Sequence, residues 1–361
     1  MSAGTSRHPP YHLRPNKAID RFLLVDLLRH VPYEERKRYE YIGLGGPFLE
    51  DFKIMHHYYP EVKLTSIEAN PETYKRQRFN KSCKAIKLIE SEIATYFGEH
   101  DDFRHPLIVW FDGTDFRQRT LTSLQSILLK LPVDSILKVT ARVSFETEPR
   151  YKEFALATAH TVENLLSDIQ GLSINQREDL SGRIRDVLIN AAEEKDEMTL
   201  AMQQVSDYLP EGYEDLLGDQ PSRAKLYFQI LQNAISRSFP SVGEKVFHYI
   251  SSNYYSDSTT MISITGMIVK RSRLSKVRQL FRDYKNQGDQ LGEPTEINIP
   301  ILSIKERMKL DPHLPIRKNV GRRLHNVLGY RIDSSDNLTE KQLSFYNSFH
   351  KYYPFFSKVQ L

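Results

Sequence analysis

Four residues near the start of the chain have the types and spacing needed to hold a ligand that contains ribose. Gly43, Gly45 and Gly46 form a turn directly after a short apolar strand, where missing side chains would let a ligand lie against the backbone. Glu68 ends the next apolar strand, and a carboxylate in that position accepts hydrogen bonds from both ribose hydroxyls. The turn and the acid together predict a nucleoside-binding site.

The residue types around the turn distinguish two classes of cofactor. A dinucleotide site of the G-x-G-x-x-G type needs a small residue at its last position, so that a helix can approach the pyrophosphate closely. This chain has Phe48 at that position, preceded by Pro47. S-adenosylmethionine (SAM) carries no phosphate and needs only room beside the turn and an acid for its ribose. The sequence therefore favours SAM over NAD.

The elements that would position these residues alternate between strands and helices. Apolar runs predict strands at 40–42, 63–67, 85–90, 107–111 and 135–143, with helices at 71–80 and 120–131. A helix over 222–239 precedes two further strands, 244–255 and 260–269. The polar turn between those two strands is so short that they must be antiparallel. The pattern predicts an α/β fold, a mostly parallel sheet closed by an antiparallel hairpin.

This order of elements resembles the class I SAM-dependent methyltransferase fold, which is Rossmann-like with a seven-stranded, mostly parallel sheet. Over about the first 145 residues the motifs YIGLGGPFLEDF, SIE, KRQRFN and IVWFD are similar to a group of bacterial O-methyltransferases. Genes of that group often lie near phage-defence genes, so the resemblance also implies a role in antiviral defence.

The resemblance implies that SAM is the cofactor and assigns its contacts. The three glycines of the turn would flank the methionine part, and Glu68 would hold the ribose. Two polar residues after the third strand would lie near the adenine, and an acid at the end of the fourth would lie near the sulfonium. The predicted cofactor-binding residues are Gly43, Gly45, Gly46, Glu68, Ser91, Glu92 and Asp112.

One position departs from the pattern of the resemblance. Methyltransferases usually carry an acid two residues before the first glycine, where it contacts the amino group of the cofactor. This chain has Tyr41 there, with Glu40 one place earlier. The departure puts this contact in question, and with it the activity.

Asp112 and Asp115 are the predicted catalytic residues. They follow the apolar run of the fourth strand, with Thr114 between them, and the carboxyl ends of parallel strands face the ligand cleft. An acid there could remove a proton from the methyl acceptor. The chain lacks an Asp-Asn pair after strand five, an Asn-Pro-Pro-aromatic motif and a Pro-Cys motif in this region. The sequence therefore predicts transfer to oxygen without a metal ion.

Composition narrows the class of protein further. The chain has 361 residues, of which 40% are hydrophobic, and can bury a large core. Its formal net charge of +4 is small for this length, so charge alone does not demand a nucleic-acid partner. A single cysteine, Cys83, excludes an internal disulfide and a cysteine-rich zinc site. No run of apolar residues is long enough for a signal peptide or a membrane span, which predicts a cytoplasmic protein without membrane contact.

Four regions are predicted along the chain. Residues 1–146 form the first part of the SAM-binding core, 147–221 an inserted helical module, 222–269 the last helix and hairpin, and 270–361 a C-terminal extension. The insertion is far longer than an ordinary loop. We expect its helices, 151–172 and 176–209, to cover the cleft or to bind a protein partner.

The C-terminal extension is basic at its start and aromatic at its end. Lys270 to Lys285 contains seven Lys or Arg residues among sixteen. Two interpretations fit this segment: a surface that contacts nucleic acid, or a helix whose charges are simply solvated. The second is favoured because the net charge of the chain is modest. The aromatic tail is expected to dock a terminal helix onto the core through Leu343, Phe345, Tyr346, Phe349, Tyr352 and Tyr353.

Three functions agree with these observations. The first is a SAM-dependent methyltransferase directed to oxygen on an unidentified acceptor. The second is a SAM- or nucleotide-binding subunit with weak or no catalysis, acting in a multi-protein complex. The third, an NAD-dependent oxidoreductase, rests on the glycine turn alone.

Overall fold

An eight-stranded sheet forms the centre of the protein. The computed structural model describes residues 14–100, 103–113, 116–143, 171, 173–193, 202–240, 242–257, 259–282, 284 and 293–355. The strands are β1 (Glu40–Gly43), β2 (Lys63–Glu68), β3 (Ile86–Glu90), β4 (Leu107–Gly113), β5 (Ile136–Arg142), β6 (Lys245–Ser256), β7 (Thr260–Lys270) and β8 (Thr295–Ile297). Their order across the sheet is β3-β2-β1-β4-β5-β7-β6-β8. Strand β7 is antiparallel to both of its neighbours, and the other pairs are parallel.

The predicted fold class is confirmed, with one strand more than the seven expected. Strand β8 comes from the C-terminal extension and pairs with β6 over three residues, too few to give a recognisable pattern in the sequence. Strand β4 continues to Gly113, two residues beyond the predicted end. Asp112 is therefore a strand residue, held by the sheet, rather than a loop residue.

The helices connect the strands and cover both faces of the sheet. In chain order they are α1 (Pro15–Arg29), α2 (Tyr33–Arg36), α3 (Glu50–Tyr58), α4 (Pro71–Asn80), α5 (Ile93–Glu99), α6 (Gln118–Lys130), α7 (Ile174–Glu193), α8 (Gln220–Arg237), α9 (Leu274–Leu280), α10 (Ile304–Leu310), α11 (Val320–Leu328) and α12 (Asp336–Phe349). Helix α4 has the predicted ends because the Asn70 side chain accepts a hydrogen bond from the Thr73 amide and Pro71 occupies the first turn. The predicted helix 151–172 lies outside the described residues.

Helix α1 is the element that the sequence prediction missed. It packs on the same face of the sheet as α3 and the C-terminal helices, whereas α5, α6 and α8 cover the other face. Four polar or charged residues of α1 are buried along with its apolar ones: Asn16, Lys17, Asp20 and Arg21. Those residues disturb the hydrophobic periodicity that would otherwise reveal a helix packed against a sheet.

The C-terminal extension packs against the α1 face. The expected docking of the aromatic tail is confirmed for Leu343, Tyr346, Phe349 and Tyr352, which are all buried. The basic helix is shorter than its pattern suggested, since α9 ends at Leu280. No helix within the described ranges is long and apolar enough to cross a membrane.

Candidate functional site

The glycine turn lies at the carboxyl end of β1, where the order of strands reverses between β1 and β4. Ligands of open α/β sheets bind at such a reversal. Gly45 and Gly46 have φ values of 61° and 52°, in the left-handed region that favours glycine. A side chain on Gly45 would come within 2.7 Å of Ser66 Oγ and 2.9 Å of the Phe52 ring. The backbone therefore forms a tight cradle that only glycine permits.

Gln77 fixes the shape of this turn. Its side chain is fully buried, and Nε2 donates to the carbonyl oxygens of Leu44 (2.9 Å) and Gly46 (3.0 Å). Its Oε1 accepts a hydrogen bond from Ser66 Oγ at 3.2 Å. The sequence prediction missed this role, although Gln77 belongs to the KRQRFN motif and is the one uncharged polar residue within a run of basic ones.

Glu68 ends β2 with its carboxyl group half-buried at the carboxyl edge of the sheet. Oε1 accepts a hydrogen bond from the Asn70 amide at 2.8 Å. Burial raises the pKa of Glu68 above its usual value, and hydrogen bonds from the backbone amides of Asn70 and Ala69 offset only part of that effect. The carboxyl group is thus held by the two backbone amides that directly precede α4.

The two predicted adenine contacts lie beside Glu68. The Ser91 amide donates to the Glu68 carbonyl oxygen at 3.1 Å, and Ser91 Oγ donates to the Glu92 carbonyl oxygen at 3.1 Å. Glu92 occupies the N-cap position of α5, where its exposed side chain makes no capping hydrogen bond. The structure therefore brings Glu68, Ser91 and Glu92 together, and we call this group the Glu68 side of the site.

Asp112 lies on the other side of the glycine turn and is bound in a salt bridge. Its Oδ2 lies 3.0 Å from Lys17 Nζ, and its Oδ1 accepts a hydrogen bond from Thr140 Oγ1 at 2.5 Å. Burial raises the pKa of Asp112, but the charge of Lys17 and the hydrogen bonds from Thr140 and Lys17 outweigh it, so the pKa lies below its usual value. The carboxyl group is ionised at neutral pH. We call Asp112, Thr140 and Lys17 the Asp112 side.

A second ion pair, between Lys138 and Asp20, is linked to the Asp112 side. Lys138 Nζ donates to Asp20 Oδ1 and to Ser263 Oγ, each at 2.7 Å, and lies 5.0 Å from the centre of the Trp110 ring. Lys138 is 1% exposed and Asp20 is fully buried. Burial lowers the pKa of Lys138, and the charge of Asp20 opposes that shift. Trp110 in turn donates to Thr140 Oγ1 at 3.0 Å, which links the two ion pairs.

Tyr41 occupies the position where an acid was expected from the resemblance. Its ring packs against Phe52 and its hydroxyl lies so close to Gly43 that a side chain there would come within 3.1 Å. The hydroxyl has no hydrogen-bond partner among the described residues. Burial, followed by the charge of Asp51, raises the pKa of Tyr41 well above its usual value, so the hydroxyl stays neutral.

Three further residues named in the sequence prediction are Thr114, Asp115 and Glu40. Asp115 and Thr114 lie outside the described residues. Glu40 accepts a hydrogen bond from the Thr65 hydroxyl and is thus engaged within the sheet. Within the part of the chain that the structure describes, no three His, Cys, Asp or Glu residues are grouped so that they could hold a metal ion.

A family model described as "Putative O-methyltransferase" matches residues 9–361, almost the whole chain. No curated protein sequence matches the chain significantly. Among solved structures, Trm1 from Pyrococcus horikoshii in complex with SAM has a TM-score of 0.37 at 11% identity, with 77% of this chain and 60% of that chain covered.

Two more of these structures cover most of their own chains. The plantazolicin methyltransferase BpumL, in complex with a pentazolic desmethylPZN analog and SAH, has a TM-score of 0.29 at 12% identity over 69% of this chain and 85% of its own. A caffeoyl-CoA O-methyltransferase homologue from Staphylococcus aureus has a TM-score of 0.29 at 12% identity over 68% and 83%.

Proposed function

Because the chain belongs to the family described as "Putative O-methyltransferase", we propose that it is a SAM-dependent methyltransferase that acts on oxygen. The observation that carries this proposal is the position of the glycine turn between Glu68 and Asp112, at the reversal of strand order. This arrangement offers a backbone cradle flanked by a carboxyl group on either side. It suits a ligand with a ribose at one end and a positive charge near the other.

The residues around the glycine turn fit SAM, which supplies an activated methyl group when it is bound. Glu68 would accept hydrogen bonds from the ribose hydroxyls, with Ser91 and Glu92 beside the adenine. The cradle at Gly45 would admit the cofactor because a side chain there would collide with Ser66 and Phe52. A dinucleotide fits less well, because Phe48 occupies the position where a pyrophosphate needs a small residue and Arg76 lies over its ring at 5.2 Å.

We propose that Asp112 acts through its charge. An ionised carboxylate at the end of β4 would attract a sulfonium and hold Lys17 in place. Its two oxygens already bind Lys17 and Thr140, and its lowered pKa makes it a weak base. Of the two predicted catalytic residues, Asp115 is therefore the better candidate for removal of the acceptor's proton, and Asp112 for electrostatic stabilisation.

Tyr41 supports a second candidate function, a SAM- or nucleotide-binding subunit with little catalysis within a multi-protein complex. A buried, neutral hydroxyl cannot form the ion pair that an acid would make with the amino group of the cofactor. In this case SAM binding would regulate assembly or output, as expected for a component of antiviral defence. The helical insertion would then offer a partner surface.

One experiment separates the two candidates. Purified protein is incubated with methyl-labelled SAM and cell extract, and the extract is fractionated into protein, nucleic acid and small molecules. An enzyme labels one fraction, and Glu68→Ala loses that label because it loses the cofactor. If calorimetry shows SAM binding but no fraction is labelled, the subunit function stands. If wild-type protein does not bind SAM, the methyltransferase and the SAM-binding subunit are both wrong, and only a subunit that binds another nucleotide is left.

A further inference from the structure

A second charged surface lies on α4 and its connection to β3, on residues other than those that bind the glycine turn. Residues 73–89 contain six cationic side chains and no acidic one: Lys75, Arg76, Arg78, Lys81, Lys84 and Lys87. Strand β3 is the edge of the sheet, so this surface faces solvent. The segment is far more basic than the chain as a whole, whose formal net charge is +4.

Part of this surface is a cavity of about 500 Å³. Its lining comes from one face of α4, from the connection and from the middle of β3: Tyr74, Arg78, Lys81, Ser82, Cys83, Lys84 and Leu88. Tyr74, Arg78 and Lys81 follow one another at helical spacing and so lie on the same side. The cavity combines three cationic side chains with an aromatic ring.

The charges of the cavity are not neutralised. Among the described residues, Arg78, Lys81 and Lys84 make no salt bridge, and all three are exposed. Their neighbours differ, because Lys75 Nζ lies 2.6 Å from Glu72 Oε1 and Arg76 lies over the Phe48 ring. Three unpaired cations around a concave surface create a positive potential that attracts anions.

Phe79, which follows Arg78 in α4 and does not line the cavity, is a second feature of this surface. It is 91% exposed, in a helix whose buried residues are Thr73 and Gln77. A phenylalanine ring in that position contributes little to folding. Exposed aromatic rings among cationic residues are typical of surfaces that bind single-stranded nucleic acid, where bases stack on the rings and phosphates meet the charges.

We propose that α4 and the α4–β3 connection bind single-stranded nucleic acid, with Arg78, Lys81 and Lys84 at the phosphates and Phe79 and Tyr74 at the bases. Lys87 alone could be explained as a residue that keeps the edge strand β3 from pairing with another chain. That explanation does not cover the three cations of the cavity, which precede the strand.

The basic segment at 270–285 is a weaker candidate for the same role. Lys270 forms a salt bridge with Glu244 at 3.1 Å, Arg273 with Asp134 at 2.7 Å, and Arg271 Nε donates to the Gly243 carbonyl oxygen. Three of its cations are therefore engaged within the protein. The surface on α4 does not depend on the proposed methyltransferase function, since it lies outside the glycine turn and its flanking acids.

The test is fluorescence anisotropy of a labelled single-stranded RNA oligonucleotide with the full chain. The triple variant Arg78→Gln/Lys81→Gln/Lys84→Gln should lose at least about tenfold in affinity at low salt, and the slope of log K against log salt should fall by about 2. Phe79→Ala should weaken binding by about fivefold or more without changing the slope. A matched control removes three other exposed cations, Lys276→Gln/Arg278→Gln/Lys318→Gln, and should leave the affinity nearly unchanged.

A second measurement uses the single cysteine of the chain, Cys83, which lines the cavity. Bound RNA should slow the alkylation of Cys83 by N-ethylmaleimide in the wild type, followed by mass spectrometry, and should not slow it in the triple variant. The proposal is overturned if wild-type protein does not bind the RNA, if the control variant loses as much affinity as the triple variant, or if pyrophosphate protects Cys83 and RNA does not. If the nucleic-acid proposal is overturned, the proposal that SAM binds at Glu68 is not affected.

Discussion

Two carboxyl groups at strand ends, those of Glu68 and Asp112, flank the glycine turn and have different kinds of hydrogen-bond partners. On the Glu68 side, the carboxyl group has backbone amides as partners and forms no salt bridge within the described part of the chain, and burial raises its pKa. On the Asp112 side, a lysine from α1 and a threonine from β5 bind the carboxyl group and lower its pKa. The Glu68 carboxyl group is available to a ligand with hydroxyl donors, whereas both carboxylate oxygens of Asp112 already have partners within the protein. The difference indicates that a side chain of α1 organises the Asp112 side, whereas the backbone amides of Ala69 and Asn70 organise the Glu68 carboxyl group.

The largest expected effect is on stability, on the Asp112 side. Lys138→Met leaves the fully buried carboxylate of Asp20 without its cation, which should lower the free energy of unfolding by about 3–5 kcal/mol. Urea denaturation followed by circular dichroism measures this change. Lys87→Met, a matched substitution on the exposed edge strand of the Glu68 side, should change it by less than about 0.5 kcal/mol. An equal loss of unfolding free energy in the two variants would mean that buried ion pairing does not distinguish the two sides.

The next effect is on ligand affinity, on the Glu68 side. Glu68→Ala removes a carboxylate that would hold two hydroxyls, and the affinity for SAM should fall by about 2–4 kcal/mol. Calorimetry with SAM and S-adenosylhomocysteine measures it. The control is Glu90→Ala, which removes an exposed carboxylate from the residue opposite Glu68 on β3. Unchanged affinity in Glu68→Ala would remove Glu68 from the site.

Asp112→Asn separates charge from shape on the other side. The amide can still accept a hydrogen bond from Thr140 but loses its attraction for Lys17, so the fold and most of the SAM affinity should persist. Turnover should fall by about a hundredfold. Thr140→Val, which removes one hydrogen bond and keeps the charge of Asp112, should reduce turnover less. A turnover equal to wild type in Asp112→Asn would exclude a catalytic role for this carboxylate.

The smallest expected effect is on pH dependence, and it tests both sides at once. Glu68 has a raised pKa, so it takes up a proton first as the pH falls, and a neutral carboxyl group holds ribose hydroxyls less well. Asp112 has a lowered pKa, so the stability it contributes is lost only as the pH falls through that lower value. SAM affinity should therefore weaken in mild acid while the protein stays folded. Glu68→Gln should bind SAM with the same affinity across that range, and a wild-type profile that is equally flat would contradict the assignment.

The sequence predicted the positions of Glu68 and of the glycine turn at strand ends, because these residues lie close together along the chain. Gly43 and Glu68 lie at the ends of two neighbouring strands joined by one helix, and Gly45 lies in the turn between the first strand and that helix, so strand ends and turn residues were enough to place them. The sequence prediction also found Asp112, because a dense apolar run marks β4. The parallel core of the sheet followed from the same kind of local pattern.

The Asp112 side could not be predicted, because its partners are distant in sequence. Lys17 and Asp112 are 95 residues apart, and Asp20 and Lys138 are 118 residues apart. A buried lysine in a strand and charged residues in a helix look like solvent-facing positions until the partner is known. Gln77 was missed for another reason, since its contacts are with carbonyl oxygens, which leave no trace in the sequence.

The way in which α1 is anchored has a consequence for the order in which the protein is made. The amides of Asn16 and Lys17 donate to the Asp257 carboxylate, and the Ile299 amide donates to Asn16 Oδ1. Farther along the helix, Asp26 binds Lys351 and Tyr352. Helix α1 leaves the ribosome before the groups that fix it have been made, because those groups lie at least 240 residues later in the chain. A nascent chain can therefore form the strands that carry the glycine turn and Glu68 early, while Lys17 reaches Asp112 in its final setting only after these later groups have been synthesised.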